Sequence, residues 1–440
     1  MFVVKFSKFS GNKQKIAKNI YWALVGKIIN LACGLAVGII VARYLGPEQY
    51  GLMNYVISFV SLFQILASFG LENIEIREES KGDYTVKSIL GTAFRLRLFF
   101  SIITIILIAI VAVIYEADCK TIFLILIYSF GIIFSSFDVI RNYYTSIVKN
   151  EYIVKVGIVR NILSLLIKGG LVLTSAPLFF FILSLVFDMF ITAQGYLFAY
   201  KKDEGSILNW EYDRRLARYL ISQSFPLLLS ASAAVIFLQI NQILVGKMIN
   251  MQSVGYLSIA SQVVSILMFV PTIMIQTVCP ILIRVKKENE TEYCSKSMSF
   301  MSATVWFSFI CAIILSISSY YIISLTFGEK YMPAVPVLQL LAFNVVGTSL
   351  NVISGQLLII DNKQKLFILR SVSGAVFCII GNILLIPMYG ITGVVWITIF
   401  TQLIAGWVIH LFIPQYKYMF WMQFKSVIYG WRYIPKLWKK

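Results

Sequence analysis

Apolar residues run through this chain in long blocks separated by short polar connections. A helix that crosses a bilayer needs about 20 mostly apolar residues. Twelve blocks approach or exceed that length, near 20–44, 50–71, 97–115, 121–140, 156–175, 177–199, 219–247, 254–283, 299–326, 333–360, 366–388 and 391–413. The pattern predicts an all-α integral membrane protein. A polar stretch at 201–218 divides the blocks into six and six, which predicts an N-lobe over 19–200 and a C-lobe over 219–413 joined by a linker. A basic segment over 1–18 precedes them and a basic, aromatic tail over 414–440 follows, both suited to the membrane interface. The connections on one side, at 46–49, 116–120, 175–177, 248–253, 327–332 and 389–390, are too short to fold as domains. Any chemistry therefore lies between helices.

The two halves repeat at an offset of 204. Val41-Ala42-Arg43 aligns with Val245-Gly246-Lys247, and Gly51 with Gly255. In the helix that follows, Asn54, Ser58, Ser61 and Ser68 recur as Ser258, Gln262, Ser265 and Thr272. Steps of four, three and seven keep such residues on one helix face. A polar stripe is tolerated in a membrane when it faces a bundle interior or a wet cavity; small polar residues also hold helices together, and both readings stand. Six spans per half make the repeats parallel, related by a pseudo-two-fold axis along the membrane normal, a design in which the halves rock to expose a midplane site to either side.

The charge balance fixes an orientation. Of 38 Lys and Arg, 32 fall in the terminal segments and the connections of one side, while the opposite connections keep only Lys120 and Lys330. Lys/Arg excess marks cytoplasmic loops, so both termini are expected in the cytoplasm. The net charge of +18 sits in short loops, where it meets anionic headgroups rather than nucleic acid. Six scattered cysteines make no disulfide framework. No GK[ST] phosphate loop, HExxH or CxxC occurs, so neither an ATPase, a metal site nor a cofactor is expected. Uphill transport would need an ion gradient or a partner.

Several ionisable residues lie within the spans, where a charge costs roughly 2.5–3.5 kcal/mol on insertion scales. Lys27 shares a face with Asn30 and Gly34; Gly34 and Gly38 suit a close helix approach. Arg43 ends that span and Lys247 takes the matching place in the second half; snorkelling to the interface is the competing reading for all three cations. Lys168 and Asp188 each stand about ten residues from the tight turn at 175–177. At about 1.5 Å per residue their depths match, so they are expected to face each other, as a structural ion pair or as a proton or sodium site. Asp138 lies close to Arg141 near an inner helix end. The second half offers neutral Gln239, Asn241 and Gln242, and its lone His410 suits an interface rather than a proton relay. Pro271 and Pro280 are candidate kinks.

The stretch Val41-Ala-Arg-Tyr-Leu-Gly-Pro-Glu-Gln-Tyr-Gly51, with Tyr55, Ser58, Phe59, Phe69-Gly-Leu-Glu72 and Arg77-Glu78, resembles the first two helices of Wzx-type polysaccharide flippases of the multidrug/oligosaccharidyl-lipid/polysaccharide exporter superfamily. Phe237-Leu-Gln-Ile-Asn-Gln-Ile-Leu-Val-Gly246 and Val254-Gly-Tyr256 are similar to the family's seventh and eighth helices. The resemblance implies twelve helices in two six-helix lobes, V-shaped around a central cavity. It implies a substrate too: an undecaprenyl-diphosphate-linked oligosaccharide, moved from the inner to the outer leaflet of the bacterial cytoplasmic membrane for O-antigen, lipopolysaccharide or related polysaccharide synthesis.

Within that resemblance Lys27, Arg43, Lys168 and Lys247 are the expected cationic lining. Asn30, Asn54, Ser58, Ser61, Gln239, Asn241, Ser258, Gln262 and Ser265 are the expected polar lining, and Asp188 and Asp138 the candidates for coupling to H+ or Na+ by antiport. Membrane lipids, a polysaccharide polymerase and a chain-length regulator are the partners it suggests. Relatives often carry an acid where this chain has Asn241 and Gln252, which moves the weight of ion coupling to Asp188. The alternatives are a cation-coupled drug exporter of the same superfamily, a membrane polysaccharide polymerase or ligase, whose large catalytic loop is missing here, and a scaffold of an assembly complex.

Overall fold

The computed structural model describes residues 11–363 and 367–433. Lys5, Lys8, Lys365 and the last three lysines of the tail, all counted above, lie outside the described residues. Every regular element among the described residues is helical. They are α1 (Gly11–Ser68), α2 (Glu72–Lys81), α3 (Val86–Tyr115), α4 (Cys119–Phe130), α5 (Asp138–Ser146), α6 (Asn150–Leu173), α7 (Leu178–Asp203), α8 (Arg214–Met248), α9 (Met251–Glu288), α10 (Glu290–Thr326), α11 (Ala334–Leu341), α12 (Asn344–Ile360), α13 (Phe367–Leu403), α14 (Ile409–Phe412), α15 (Lys417–Ile428) and α16 (Gly430–Tyr433).

Ten helical stretches among the described residues are long and apolar enough to cross a membrane, and this is a multi-pass membrane protein. Two of the ten break at a glycine. Gly46 in α1 has φ 72° and Gly390 in α13 has φ 56°. Only glycine takes such angles without strain, and both lie where a turn between two spans is expected. The helix is therefore kinked at a single residue where the sequence suggests a loop.

Other spans depart from plain α-helix. The block at 121–140 is α4, a 3₁₀ segment over Gly131–Phe137, and the start of α5. A Cβ at Gly131 would lie 2.4 Å from Met189 Sδ, so a larger residue there would have to displace the Met189 side chain. The block at 333–360 is α11 and α12 in succession. The last block contains a π-helical turn over Ile404–Val408. By contrast α9 runs unbroken through Pro271 and Pro280. The close approach expected at Gly34 does not occur: its Cβ position is open, while at Gly26 a Cβ would meet Val154 Cγ2 at 2.6 Å.

The chain forms two compact units, one of residues 1–45 and 56–232, the other of 46–55 and 233–440. Relative to the expected lobes, the segment 201–232 belongs with the first unit. The reason is visible in its packing. Leu216, Ala217 and Leu220 of α8 join a core with Leu71, Ile74, Ile89, Leu90 and Ala93. Trp210 packs edge-on against Phe94 and Tyr200, and a Cβ at Gly91 would fall 2.2 Å from the Glu211 carbonyl oxygen. The expected linker is thus bound down along its length. The core of the second unit gathers Ile275, Leu282, Phe300, Met301, Ile353, Leu357, Tyr416 and Met419. His410 lies fully buried in this unit, its Nδ1 2.8 Å from Gln423 Oε1.

A charged group ties α2 to α3 and α5 in the first unit. Arg97 donates through Nε to Glu75 Oε1 at 2.7 Å and through Nη2 to Oε2 at 3.1 Å, and Asn142 donates to the same carboxylate. Arg97 and Glu75 are 3% and 1% exposed, so the pair is a buried one. Removing one partner strands a buried charge, which costs about 3–5 kcal/mol. Arg97→Leu is expected to lose about that much in chemical unfolding of the purified protein, and Arg97→Leu with Glu75→Leu to recover most of it.

Candidate functional site

α6 carries a polar face in its largely apolar second half. Arg160, Asn161, Ser164 and Lys168 recur along it at steps that keep Asn161, Ser164 and Lys168 on one side. Two neighbouring helices meet that face. From α1, the side-chain oxygen of Asn30 accepts from Asn161 Nδ2 at 2.5 Å and from Arg160 Nη2 at 3.4 Å, and Arg160 also donates to Asn161 Oδ1 at 2.7 Å.

From α7 comes Asp188. Lys168 Nζ donates to Asp188 Oδ2 at 2.6 Å and to the Ser164 hydroxyl at 2.7 Å, and Ser164 Oγ donates to the same carboxylate oxygen at 2.9 Å. The turn after α6 makes α6 and α7 antiparallel neighbours, so the depth match expected from the sequence is realised. The side chains are 8% and 16% exposed. All three bonds of the trio leave Asp188 Oδ1 untouched. That oxygen is buried and has no hydrogen-bond partner among the described residues. A carboxylate oxygen left so costs on the order of 1–3 kcal/mol, and a proton or small cation would satisfy it.

The other expected residues are spread out. Lys27, one turn before Asn30 on α1, is exposed, as are Arg43 near the glycine break and Lys247 in the second unit. Lys168 is the one of the four expected cations that is buried. Asp138 opens α5 in a half-buried position, one turn before Arg141, whose Nη2 donates to Glu72 Oε1 at 2.9 Å. It belongs with the charged group of α2 and α5.

The duplicated stripe is mixed. Asn54 turns its amide back to the Tyr50 carbonyl at 2.8 Å. Ser58 and Ser258 are enclosed in packing, Ser61 and Gln239 are half-buried, and Ser265 is exposed and donates to the Gln262 carbonyl. Gln262 Oε1 accepts from the Tyr50 hydroxyl at 3.1 Å. The paired glycines have a sharper role. A Cβ on Gly51 would lie 1.7 Å from the Met251 carbonyl oxygen, and one on Gly255 would lie 2.1 Å from the Pro47 carbonyl oxygen. Pro47 and Met251 are themselves 204 residues apart, so the two contacts are copies of each other within the second unit.

The second unit has a polar centre of its own, without a carboxylate. Asn241 Nδ2 donates to Thr398 Oγ1 at 2.9 Å, while Asn241 Oδ1 accepts from Asn382 Nδ2 at 2.8 Å and from Cys378 Sγ at 3.2 Å. Asn241 lines a cavity of about 170 Å³ with Gln242, Ser261, Asn344, Thr398 and Gln402. No group of three His, Cys, Asp or Glu placed to hold a metal occurs among the described residues.

Sequence reasoning reached Asn30, Lys168 and Asp188 but passed over Arg160, Asn161 and Ser164. Their signal was present: polar residues three to four apart on an apolar block. Arg160 stands near one end of its span, where it is one of the 32 charges that the pattern assigns to the connections and termini.

Residues 40–336 match the sequence model of a family described as "Polysaccharide biosynthesis protein". The capsular polysaccharide biosynthesis protein CapF of Staphylococcus aureus is 24% identical over 407 residues, covering 89% of this chain and 97% of that one. Among solved structures, the lipid II flippase MurJ in an inward closed conformation superposes with a TM-score of 0.73 at 15% identity, over 96% of this chain and 94% of that one. An inward-facing multidrug resistance MATE family transporter gives 0.66 at 13% identity, over 91% and 94%. The fold is of the type these transporters share.

Proposed function

Because the chain belongs to the polysaccharide biosynthesis protein family, we propose that it is a flippase for an undecaprenyl-diphosphate-linked oligosaccharide, acting from the inner to the outer leaflet of the bacterial cytoplasmic membrane by alternating access. Both termini face the cytoplasm in this reading, and the product feeds O-antigen or a related surface polysaccharide. The substrate's diphosphate is neutralised by Lys27 and Arg43 of α1, by Lys247 of α8 and by Lys168, while its polyprenyl tail stays in lipid. One opposite charge at 4 Å contributes about 4 kcal/mol at an effective dielectric of 20, before desolvation is counted. Few such contacts suffice, since a translocation site must also release.

The observation that supports the reading most is the Lys168–Ser164–Asp188 trio with its unpartnered Asp188 Oδ1. A proton or Na+ arriving at that oxygen weakens the hold of Asp188 on Lys168. It thereby couples an ion gradient to a cation that handles the diphosphate. Asp138, held among the charges of α2 and α5, is the lesser candidate for that role.

The test is translocation of a lipid-linked oligosaccharide in proteoliposomes. Lys27→Ala and Lys168→Ala, at wild-type abundance, are each expected to slow it by roughly tenfold or more, the loss of one charge-assisted contact. Full activity in both would remove the cationic reading. The similarity to multidrug transporters favours a second reading, cation-coupled drug export. Dye efflux by the wild type, with no movement of the oligosaccharide lipid, would select it.

A further inference from the structure

Among the described residues, the second unit buries a cation that the functional reading does not use. Arg370, in the first turn of α13 as described, is 6% exposed and lines a cavity of about 190 Å³ with Ala234, Phe237, Asn351, Gly355 and Ser371. That is somewhat larger than an apolar cavity of about 150 Å³ that holds a benzene molecule. Its Nε donates to the Ala405 carbonyl at 3.1 Å. Its Nη2 donates to Asn351 O at 3.2 Å, Asn351 Oδ1 at 2.6 Å and Ser354 Oγ at 3.2 Å.

Three of these bonds run to α12 and the fourth to a π-helical turn. Over Ile404–Val408 the carbonyls of Ala405 and Gly406 accept bonds from other segments: Ala405 O from Arg370, Gly406 O from Gln423 at 2.8 Å and from Ser354 at 3.3 Å. A π turn widens the helix and frees such groups, and it recurs at functional sites.

Every acceptor that Arg370 meets is neutral, and no carboxylate pairs with it among the described residues. Its Nη1, with two N–H groups, makes no hydrogen bond among the described residues. That atom stands beside Gly355, 3.7 Å from where a Cβ would be. A buried guanidinium with an unmatched charge is costly. Its free edge, facing a cavity of this size, suits a planar or tetrahedral oxyanion.

We propose that this cavity binds the phosphate group of a lipid, with Arg370 Nη1 as the donor and Gly355 leaving the space for it. Two sources carry that chemistry: the phosphodiester of a resident anionic phospholipid and the diphosphate of a polyprenyl carrier. The site lies wholly within the second unit and stands whether or not the protein translocates anything.

Native mass spectrometry of the full chain in detergent tests it. The probes are phosphatidylglycerol, a polyprenyl diphosphate and, as the phosphate-free control, diacylglycerol. The wild type is expected to retain one phosphate-bearing lipid and not diacylglycerol. Arg370→Gln, which keeps hydrogen-bonding capacity but removes the charge, is expected to weaken that lipid roughly tenfold or more, the worth of one charge-assisted bond. Gly355→Leu, which fills the cavity and keeps the arginine, is expected to do the same and carries the test should Arg370→Gln fail to fold. Retention of phosphatidylglycerol alone assigns the site to a membrane lipid; retention of the diphosphate alone assigns it to the carrier. No phosphate-dependent retention by the wild type, or retention unchanged in the folded variants, overturns the proposal. Translocation measured on the same variants keeps this outcome separate from the transport reading.

Discussion

Lys168→Met is expected to cost about 3–5 kcal/mol of stability and to abolish translocation in whatever fraction still folds. The ammonium group it removes makes two short bonds inside the first unit, to Asp188 Oδ2 and to the Ser164 hydroxyl. What remains is a buried carboxylate with one partner, Ser164, and a second oxygen that already has none. The charge then either stays, at high cost, or is quenched by a proton. Lys168→Met combined with Asp188→Leu removes both charges and is expected to regain most of the stability, since a buried pair replaced by apolar groups of similar volume is often neutral or better. Chemical unfolding read by Trp fluorescence measures the first effect and proteoliposome translocation the second.

The exchange Lys168→Asp with Asp188→Lys separates the two roles of the pair. If the pair only holds α6 to α7, the exchanged protein folds and transports. If Asp188 takes up the coupling ion, the exchanged protein folds and does not transport, because the carboxylate has moved to another helix. Stability and transport that return together in the exchanged protein would sink the coupling role of Asp188.

Gly51→Ala and Gly255→Ala are the second large effect. Each places a methyl group against backbone rather than against a movable side chain: 1.7 Å from Met251 O in one case and 2.1 Å from Pro47 O in the other. Neither atom can give way alone, so the helices must part. Overpacking of this kind costs typically about 1–3 kcal/mol and sometimes more. These positions stand at its upper end, because carbonyl oxygens in helices are fixed by their own ladders. The two substitutions touch the same crossing, so the double variant is expected to cost less than the sum. Gly34→Ala is the control. It has open space at its Cβ position and lies in a helix interior, so it is expected to be neutral or to gain up to about 1 kcal/mol. Thermal melting of the three proteins in one detergent decides the matter. A Gly51→Ala protein as stable as the wild type would mean that the crossing is not closely packed.

The glycines also show how far the sequence could be trusted. Gly51 and Gly255 were legible as a repeated pair, and the structure makes them a reciprocal contact. Gly34 and Gly38 also read as a packing motif, yet the Cβ position of Gly34 is open. Motif spacing says which helix face a residue occupies. It does not say which neighbour, if any, stands opposite.

The sequence by itself determined that the chain is helical and membrane-spanning, that Lys168 and Asp188 face each other, and that Gly51 and Gly255 are counterparts. These follow from quantities that are linear in the chain: apolar length against bilayer thickness, rise per residue and repeat offset. Only the tertiary structure decided that 201–232 packs with the first unit, that Asn161 and Arg160 clasp Asn30, that Arg97 and Glu75 form a buried pair, and that Arg370 keeps a free edge beside a cavity. In each case the outcome depends on which side chain of a distant segment fills the space opposite. Helix packing sets that in three dimensions, and nothing in the local pattern encodes it.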